Sequence, residues 1–367
     1  MTSTPRVSVV IATYERPASI ERLVRQLGAQ SLAADELEVV VVDDGSTPPV
    51  APRLRRLAVP CALTVLTQEN AGAAAARRRG IEAARGGLVI VVDDDMQVGP
   101  DFVAAHLDAH PSGSRRAVLG WVRLDPTRQM PLFERQHARA LEHLADDVVA
   151  GRWTLEGTNL YTGNVSFRRE DYLAVGGFDP SLGRSEDAEL GVRLEKAGVT
   201  LCFSEAARAL HSSDHASVRG WMRRAFEYGV WDLRISRKHP DVAAASPWRF
   251  LFRVSPVSRP LLLASVLVPF LTRPLARLAA RVALVVDLWG WERVALAGAT
   301  FVYGLEYFRG VRAESGSRAA AVADLRGHLR RRDAARGGEA RERSARFTPR
   351  HAEAKAEVGR DCLRRTS

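Results

Sequence analysis

The stretch "VIVVDDDMQVGPDF", Val89 to Phe102, runs four apolar β-formers straight into three consecutive aspartates. A short unbroken apolar run that ends at polar residues reads as a strand covered on both faces, the type found in parallel sheets. Asp93, Asp94 and Asp95 then fall at its carboxyl end. Adjacent carboxylates repel one another, and burying one without a partner costs several kcal/mol, so a cation is expected close by. A divalent metal is the leading candidate.

Outward from that strand the same pattern recurs. "VSVVIAT" from Val7 is a second continuous apolar run, followed by "PASIERLVRQLGAQ", where Ile20, Leu23, Val24 and Leu27 keep helical spacing. "LEVVVVDDGS" is another buried strand that ends in acids, and "ALTVLTQE" reads as a strand after it. "AGAAAARRRGIEAAR" reads as a helix leading back to Val89. Strands and helices in turn imply a mainly parallel sheet with crossover helices, an α/β fold. Ligands in such sheets sit outside the carboxyl ends of the strands. Asp43 and Asp44 would therefore share a crevice with Asp93, Asp94 and Asp95. Hard cations such as Mg²⁺ or Mn²⁺ prefer oxygen ligands and often take only one or two carboxylates, the rest coming from phosphates and water. The competing reading of an Asp pair at a strand end is a turn or helix cap.

The remainder divides by composition. "PLFERQHARALEHLADDVVAG" reads as a helix, and an amphipathic helix is expected over Asp187 to Lys196. Residues 1–212 form the α/β domain in this reading, and 213–312 a basic helical region. Residues 313–367 carry 14 Lys/Arg against 8 Asp/Glu with few apolar side chains, too few to offset ordering entropy, and are read as mainly disordered. The net charge is +10. Arginines accumulate from Arg234 onward around two apolar runs, "PLLLASVLVPFLT" (Pro260–Thr272) and "VALAGATFVYGL" (Val294–Leu305). Both are too short to cross a hydrocarbon core, which needs about 20 apolar residues. Two readings stay open: helices lying in the interface of an anionic membrane, or a buried helical subdomain with a basic face. Trp221, Trp231 and Trp248 read as core or interface anchors. Cys61, Cys202 and Cys362 show no paired spacing, so neither a disulfide framework nor a zinc cluster is expected. With no secretory signal pattern at the N-terminus, the expected location is cytoplasmic, peripheral at the inner face of the plasma membrane.

"VSVVIATYERP", "VVVVDDGS", "ENAGAAAARRRGI", "VIVVDDDM", "TGNVSFRREDYLAVGGFD" and "SEDAELGVRLEKAG" resemble, in order and spacing, the pattern of family 2 glycosyltransferases with the GT-A fold. The resemblance spans about residues 6 to 211. It implies a nucleotide-sugar pocket from Thr13, Tyr14, Asp43, Asp44, Asn70, Arg77, Asp93 and Asp94, with Asp43 or Asp44 on the base and Arg77 near the nucleotide. Arg78 stands where the family usually has asparagine. Asp93 and Asp95 match the DxD pair that binds diphosphate through Mg²⁺ or Mn²⁺, and His211 stands where some members supply a further metal or phosphate contact. Asp187 looks like the general base with Glu186 beside it, and Gly163, Asn164, Gly177 and Phe178 fall on the acceptor side. The implied reaction is inverting transfer from a nucleotide-diphosphate sugar to a glycan or lipid-linked acceptor, in polysaccharide or cell-envelope assembly.

Two other classes fit less well. A nucleotidyltransferase would want a glycine-rich loop after the first strand, and "ATYERP" has none. A basic scaffold for nucleic acid or anionic lipid, on an inactive nucleotide-binding fold, would draw on the positive charge. That charge collects in the C-terminal third, whereas the acid-lined crevice repels phosphodiesters, so nucleic acid is not an expected partner.

Overall fold

The computed structural model describes residues 4–127, 130–211 and 217–345, with side chains through 333. The chain forms two compact units, one over residues 4–127 and 138–211, the other over 130–137 and 217–345.

Eight strands make one sheet in the first unit: β1 (Val7–Thr13), β2 (Leu37–Asp43), β3 (Ala62–Thr67), β4 (Leu88–Val92), β5 (Met96–Val98), β6 (Arg116–Leu124), β7 (Asn164–Arg168) and β8 (Thr200–His211). Their order is β3-β2-β1-β4-β7-β6-β8-β5. The four leading strands are mutually parallel where they pair, as the unbroken apolar runs imply. Beyond β4 the sheet turns mixed, because β7 runs antiparallel to both β4 and β6. Every residue of β2 is buried, and in β1 only Ala12 is not fully so. A covered face on each side needs helices, and Pro17–Gly28 supplies Ile20, Leu23, Val24 and Leu27 to one of them. Helix Ala73–Ala83 packs the other so closely that a Cβ on Gly80 would lie 2.5 Å from Val10 Cγ1. Parallel register sets Thr13 opposite Asp43, so the acid-rich ends of β1, β2 and β4 share one edge.

The second unit is helical. Helices Val218–Lys238 and Glu292–Ser315 cross backbone to backbone: a Cβ on Gly229 would lie 1.9 Å from the Tyr307 carbonyl oxygen, and one on Gly310 2.0 Å from that of Phe226. The two apolar runs have different fates. Val294–Leu305 lies in helix Glu292–Ser315, where Ala295, Ala299, Val302 and Leu305 are buried in the core of this unit. Pro260–Thr272 is divided between helices Arg259–Leu267 and Pro269–Leu288, since Pro269 opens a new helix. Helix Pro269–Leu288 turns Thr272, Ala276, Ala280 and Ala283 inward and leaves Leu271, Leu278, Val282 and Val285 exposed. Trp221 and Trp248 are core residues, whereas Trp289 and Trp291 are 66% and 60% exposed. Among the described residues no helix is long and apolar enough to cross a membrane. Of the basic stretch from 313 onward, Arg318–Ala345 is helical, and residues 346–367 lie outside the described residues.

Candidate active site

The cations that face the three aspartates are guanidinium groups. Arg77, on the inner face of helix Ala73–Ala83, is buried and donates from Nη2 to Asp93 Oδ1 (2.6 Å) and from Nη1 to Glu186 Oε1 (3.2 Å). It thereby ties the end of β4 to the first turn of helix Glu186–Lys196. Arg16, in the loop after β1, donates from Nη1 to Asp94 Oδ1 (3.0 Å) and Asp95 Oδ2 (2.6 Å). Thr13 Oγ1 donates to Asp94 Oδ2 at 2.7 Å, and His211 Nε2 lies 3.5 Å from Asp95 Oδ2. Thr13, Arg16, Arg77, Asp93, Asp94, Asp95, Glu186 and His211 thus form two polar networks that meet at the aspartate triple.

Burial raises the Asp94 carboxyl to about 6, with Arg16 and Thr13 pulling it down and the neighbouring aspartates pushing it up. For Asp95 burial also pushes upward, yet His211 and Arg16 hold the carboxyl well below the usual range. Asp95 Oδ1 is buried with no hydrogen-bond partner, an unusual state for an ionised oxygen. Asp187 is half-buried; loss of water and the adjacent Glu186 push it up to about 7, against the Ala188 amide and Arg77. That places a carboxyl able to exchange protons near neutrality beside Glu186, which Arg77 links to Asp93.

The acids of β2 do different work. Asp43 accepts from the Ser46 and Val50 amides (3.0 and 2.9 Å), and Asp44 from Gln68 Nε2, Ala71 N and Gly72 N. Both therefore hold loops at this edge, as in the turn reading of an Asp pair. Asn70 is exposed in the loop that Asp44 holds, close to Gly45, whose φ of +87° suits glycine. Tyr14 is exposed. On the expected acceptor side, Gly163 backs onto Asp93, its carbonyl accepting the Asp93 amide at 3.3 Å. The other three lie inside the unit. Asn164 is buried between His106 Nε2 and the Ala207 carbonyl, Phe178 packs on Tyr172, and Gly177 sits against the Tyr172 ring.

Among the described residues, only Glu15 and Ser185 are non-glycine positions with positive φ, at 56° and 59°. Each adjoins the site: Glu15 precedes Arg16, and Ser185 precedes Glu186. Such backbone costs about 1–2 kcal/mol and clusters where function over-determines geometry. Sequence reading missed Arg16. Its signal was available, because a basic residue in the loop after β1 must face the carboxyl end of the adjacent parallel β4.

Among known proteins, the family model for Glycosyl transferase family 2 matches residues 8–174. A glucosyl-dolichyl phosphate glucuronosyltransferase from Haloferax volcanii is 31% identical over 222 residues, covering 56% of this chain and 69% of that protein. The chain belongs to glycosyl transferase family 2. Validoxylamine A glucosyltransferase from Streptomyces hygroscopicus subsp. jinggangensis is 31% identical over 274 residues, or 66% of this chain. The chain spans 63% of that relative's length. In structure the family 2 chain is similar to the mannosyltransferase PcManGT from Pyrobaculum calidifontis, solved in complex with GDP-Man and Mn²⁺. The TM-score is 0.55 at 21% identity, over 81% of this chain and 86% of that one. The fold is GT-A: a mostly parallel sheet flanked by helices, with a helical region following it.

Proposed function

We propose that this chain transfers a sugar from a nucleoside-diphosphate sugar to a hydroxyl acceptor with inversion at the anomeric carbon. The observation that carries the proposal is the chain Asp93–Arg77–Glu186, with Asp187 beside it, at the carboxyl edge of the parallel strands. Transfer needs a place for the leaving diphosphate and, on the opposite face of the sugar, a base for the acceptor hydroxyl. Asp93 and Asp95 serve the first need. The buried, unpartnered Oδ1 of Asp95 and the second oxygen of Asp93 are donors of the kind that Mg²⁺ or Mn²⁺ prefers. When bound, the cation supplies Lewis-acid stabilisation of the leaving diphosphate. Asp187 serves the second need, ionising near neutrality and taking the acceptor proton, while Arg77 fixes Asp93 and Glu186 on either side of the donor. Asp44 shapes the loop at residues 68–72 that borders the nucleotide, and Tyr14 is free to meet the base.

The acceptor in this reading is a glycan or a lipid-linked saccharide. The Haloferax relative is by its name a transferase to glucosyl-dolichyl phosphate. The enzyme then works as a peripheral protein on an anionic membrane, which the exposed apolar face of helix Pro269–Leu288 and the exposed Trp289 and Trp291 support. Two assays test these statements. Release of nucleoside diphosphate from UDP-, GDP- and TDP-sugars with Mn²⁺, with anomeric protons followed by NMR, must give one active donor class and an inverted product; retention would overturn the mechanism. Vesicle flotation of the full chain must weaken in Leu278→Asp/Val282→Asp, and equal flotation would remove the membrane reading.

A further inference from the structure

Three helices of the second unit line a cleft of about 1020 Å³ to which six arginines contribute beside apolar side chains. Arg219 and Arg223 come from helix Val218–Lys238, Arg273, Arg277 and Arg281 from helix Pro269–Leu288, and Arg309 from helix Glu292–Ser315. Only two acids, Glu227 and Glu306, share the lining. Arg223 lies 3.6 Å from Glu227, and Arg309 hydrogen-bonds Glu306. Among the described residues Arg219, Arg273, Arg277 and Arg281 face no acidic partner. Guanidinium groups gathered on one surface without acidic partners make a local positive field that attracts an anion. The first turn of helix Val218–Lys238 also lines the cleft and adds the positive end of its dipole.

The geometry of helix Pro269–Leu288 says what kind of anion fits. Arg273, Arg277 and Arg281 stand four residues apart and form one row along the helix. Beside that row runs the outward apolar face, with Leu278 at 59% and Val282 at 54% exposure. One helix thus presents a strip of cations to a cleft and a strip of leucine and valine to the outside. A soluble phosphate would use the first strip and leave the second in water. An amphiphile with a phosphate head uses both.

We infer that this cleft binds the phosphate group of a membrane lipid, with the hydrocarbon chain lying along the apolar face of helix Pro269–Leu288. Guanidinium forks match phosphate oxygens bidentately, which makes arginine the suitable residue here. The inference rests on the membrane reading above and adds to it a specific headgroup site built from residues of the second unit alone.

The test uses the full-length protein, floated with phosphatidylcholine vesicles and with the same vesicles carrying a minor fraction of phosphatidic acid. Wild type should prefer the phosphatidate vesicles, and Arg277→Gln/Arg281→Gln should lose at least about tenfold of that preference while partition onto neutral vesicles is unchanged. Arg277→Lys/Arg281→Lys should keep part of it. These side chains are exposed, so unchanged thermal unfolding is the expected control. A glutamine variant that keeps the full preference, or wild type that floats equally with both vesicles, overturns the cleft as a headgroup site. Inorganic phosphate that displaces the protein at matched ionic strength, and that stabilises it without lipid, overturns the lipid source in favour of free phosphate. Failure to float with any vesicle overturns instead the membrane reading on which the inference rests.

Discussion

Replacing Arg77 by methionine, which keeps much of the packing volume but no charge, should unbalance the whole site. The guanidinium is the cation between Asp93 and Glu186 and one of the groups that lower Asp187, so its loss leaves three carboxyls without that partner. Breaking a buried pair by removing one member costs about 3–5 kcal/mol. Asp93 keeps 34% of its side chain in water, which brings the cost below that range, to about 2–3 kcal/mol. For a unit of this size that corresponds to a fall in Tm of about 5–10 °C. The sign of the pH dependence is a sharper test. In the variant Asp187, raised by burial and no longer pulled down by Arg77, binds a proton more readily than in the unfolded chain, so stability rises as pH falls. The gap in Tm to wild type should therefore narrow from about pH 8 to about pH 5. Thermal unfolding of both proteins at the two pH values is the assay. A gap that is absent, or that stays constant with pH, would show that Arg77 does not neutralise these acids.

Other perturbations probe separate links. Asp187→Asn should cut kcat about 10²–10⁴-fold, as loss of a general base does, and wild-type kcat/KM should rise with pH through about 7, where this carboxyl ionises. The same raised value has a stability consequence. Ionising Asp187 in the fold is unfavourable, so wild type loses stability as pH rises from about 4 to 7, and Asp187→Asn should escape a loss on the order of 3 kcal/mol, read by denaturant unfolding at both ends. Gly310→Ala would press a methyl group onto the Phe226 carbonyl oxygen at 2.0 Å, where backbone cannot yield. It should cost about 1–3 kcal/mol or more by chemical denaturation, and a neutral result would mean that the helix crossing is looser than described.

The parallel half of the sheet was legible chiefly from β2 and β4, which are short, largely apolar and stopped by acids, and register then fixes where the acids gather. β6 was not. "RAVLGWVRL", its own sequence, carries glycine and arginines inside the run, and its place follows from non-local pairing with β7 and β8. Within the site, three aspartates in a row announced that a cation was needed but not which one. The partners of Arg77, Asp93 and Glu186, were not legible, because that link joins residues more than ninety positions apart. Asn164, on the acceptor side in the resemblance, is buried between His106 and Ala207 and satisfies backbone and side-chain groups inside the sheet, a placement that follows from non-local pairing. The apolar run Val294–Leu305 went into the core, and an exposed apolar face extends along Leu278–Leu288, beyond the run Pro260–Thr272.

The measurement that bears most directly on the donor site is thermal unfolding across UDP-, GDP- and TDP-sugars, each with and without Mn²⁺, on wild type and Asp95→Ala. The account predicts stabilisation by one nucleotide class that depends on the metal and disappears in the variant, by RT ln(1 + [L]/Kd) for a ligand that binds only the folded state. Stabilisation that Asp95→Ala retains in full, or no shift with any donor in the presence of metal, would contradict it.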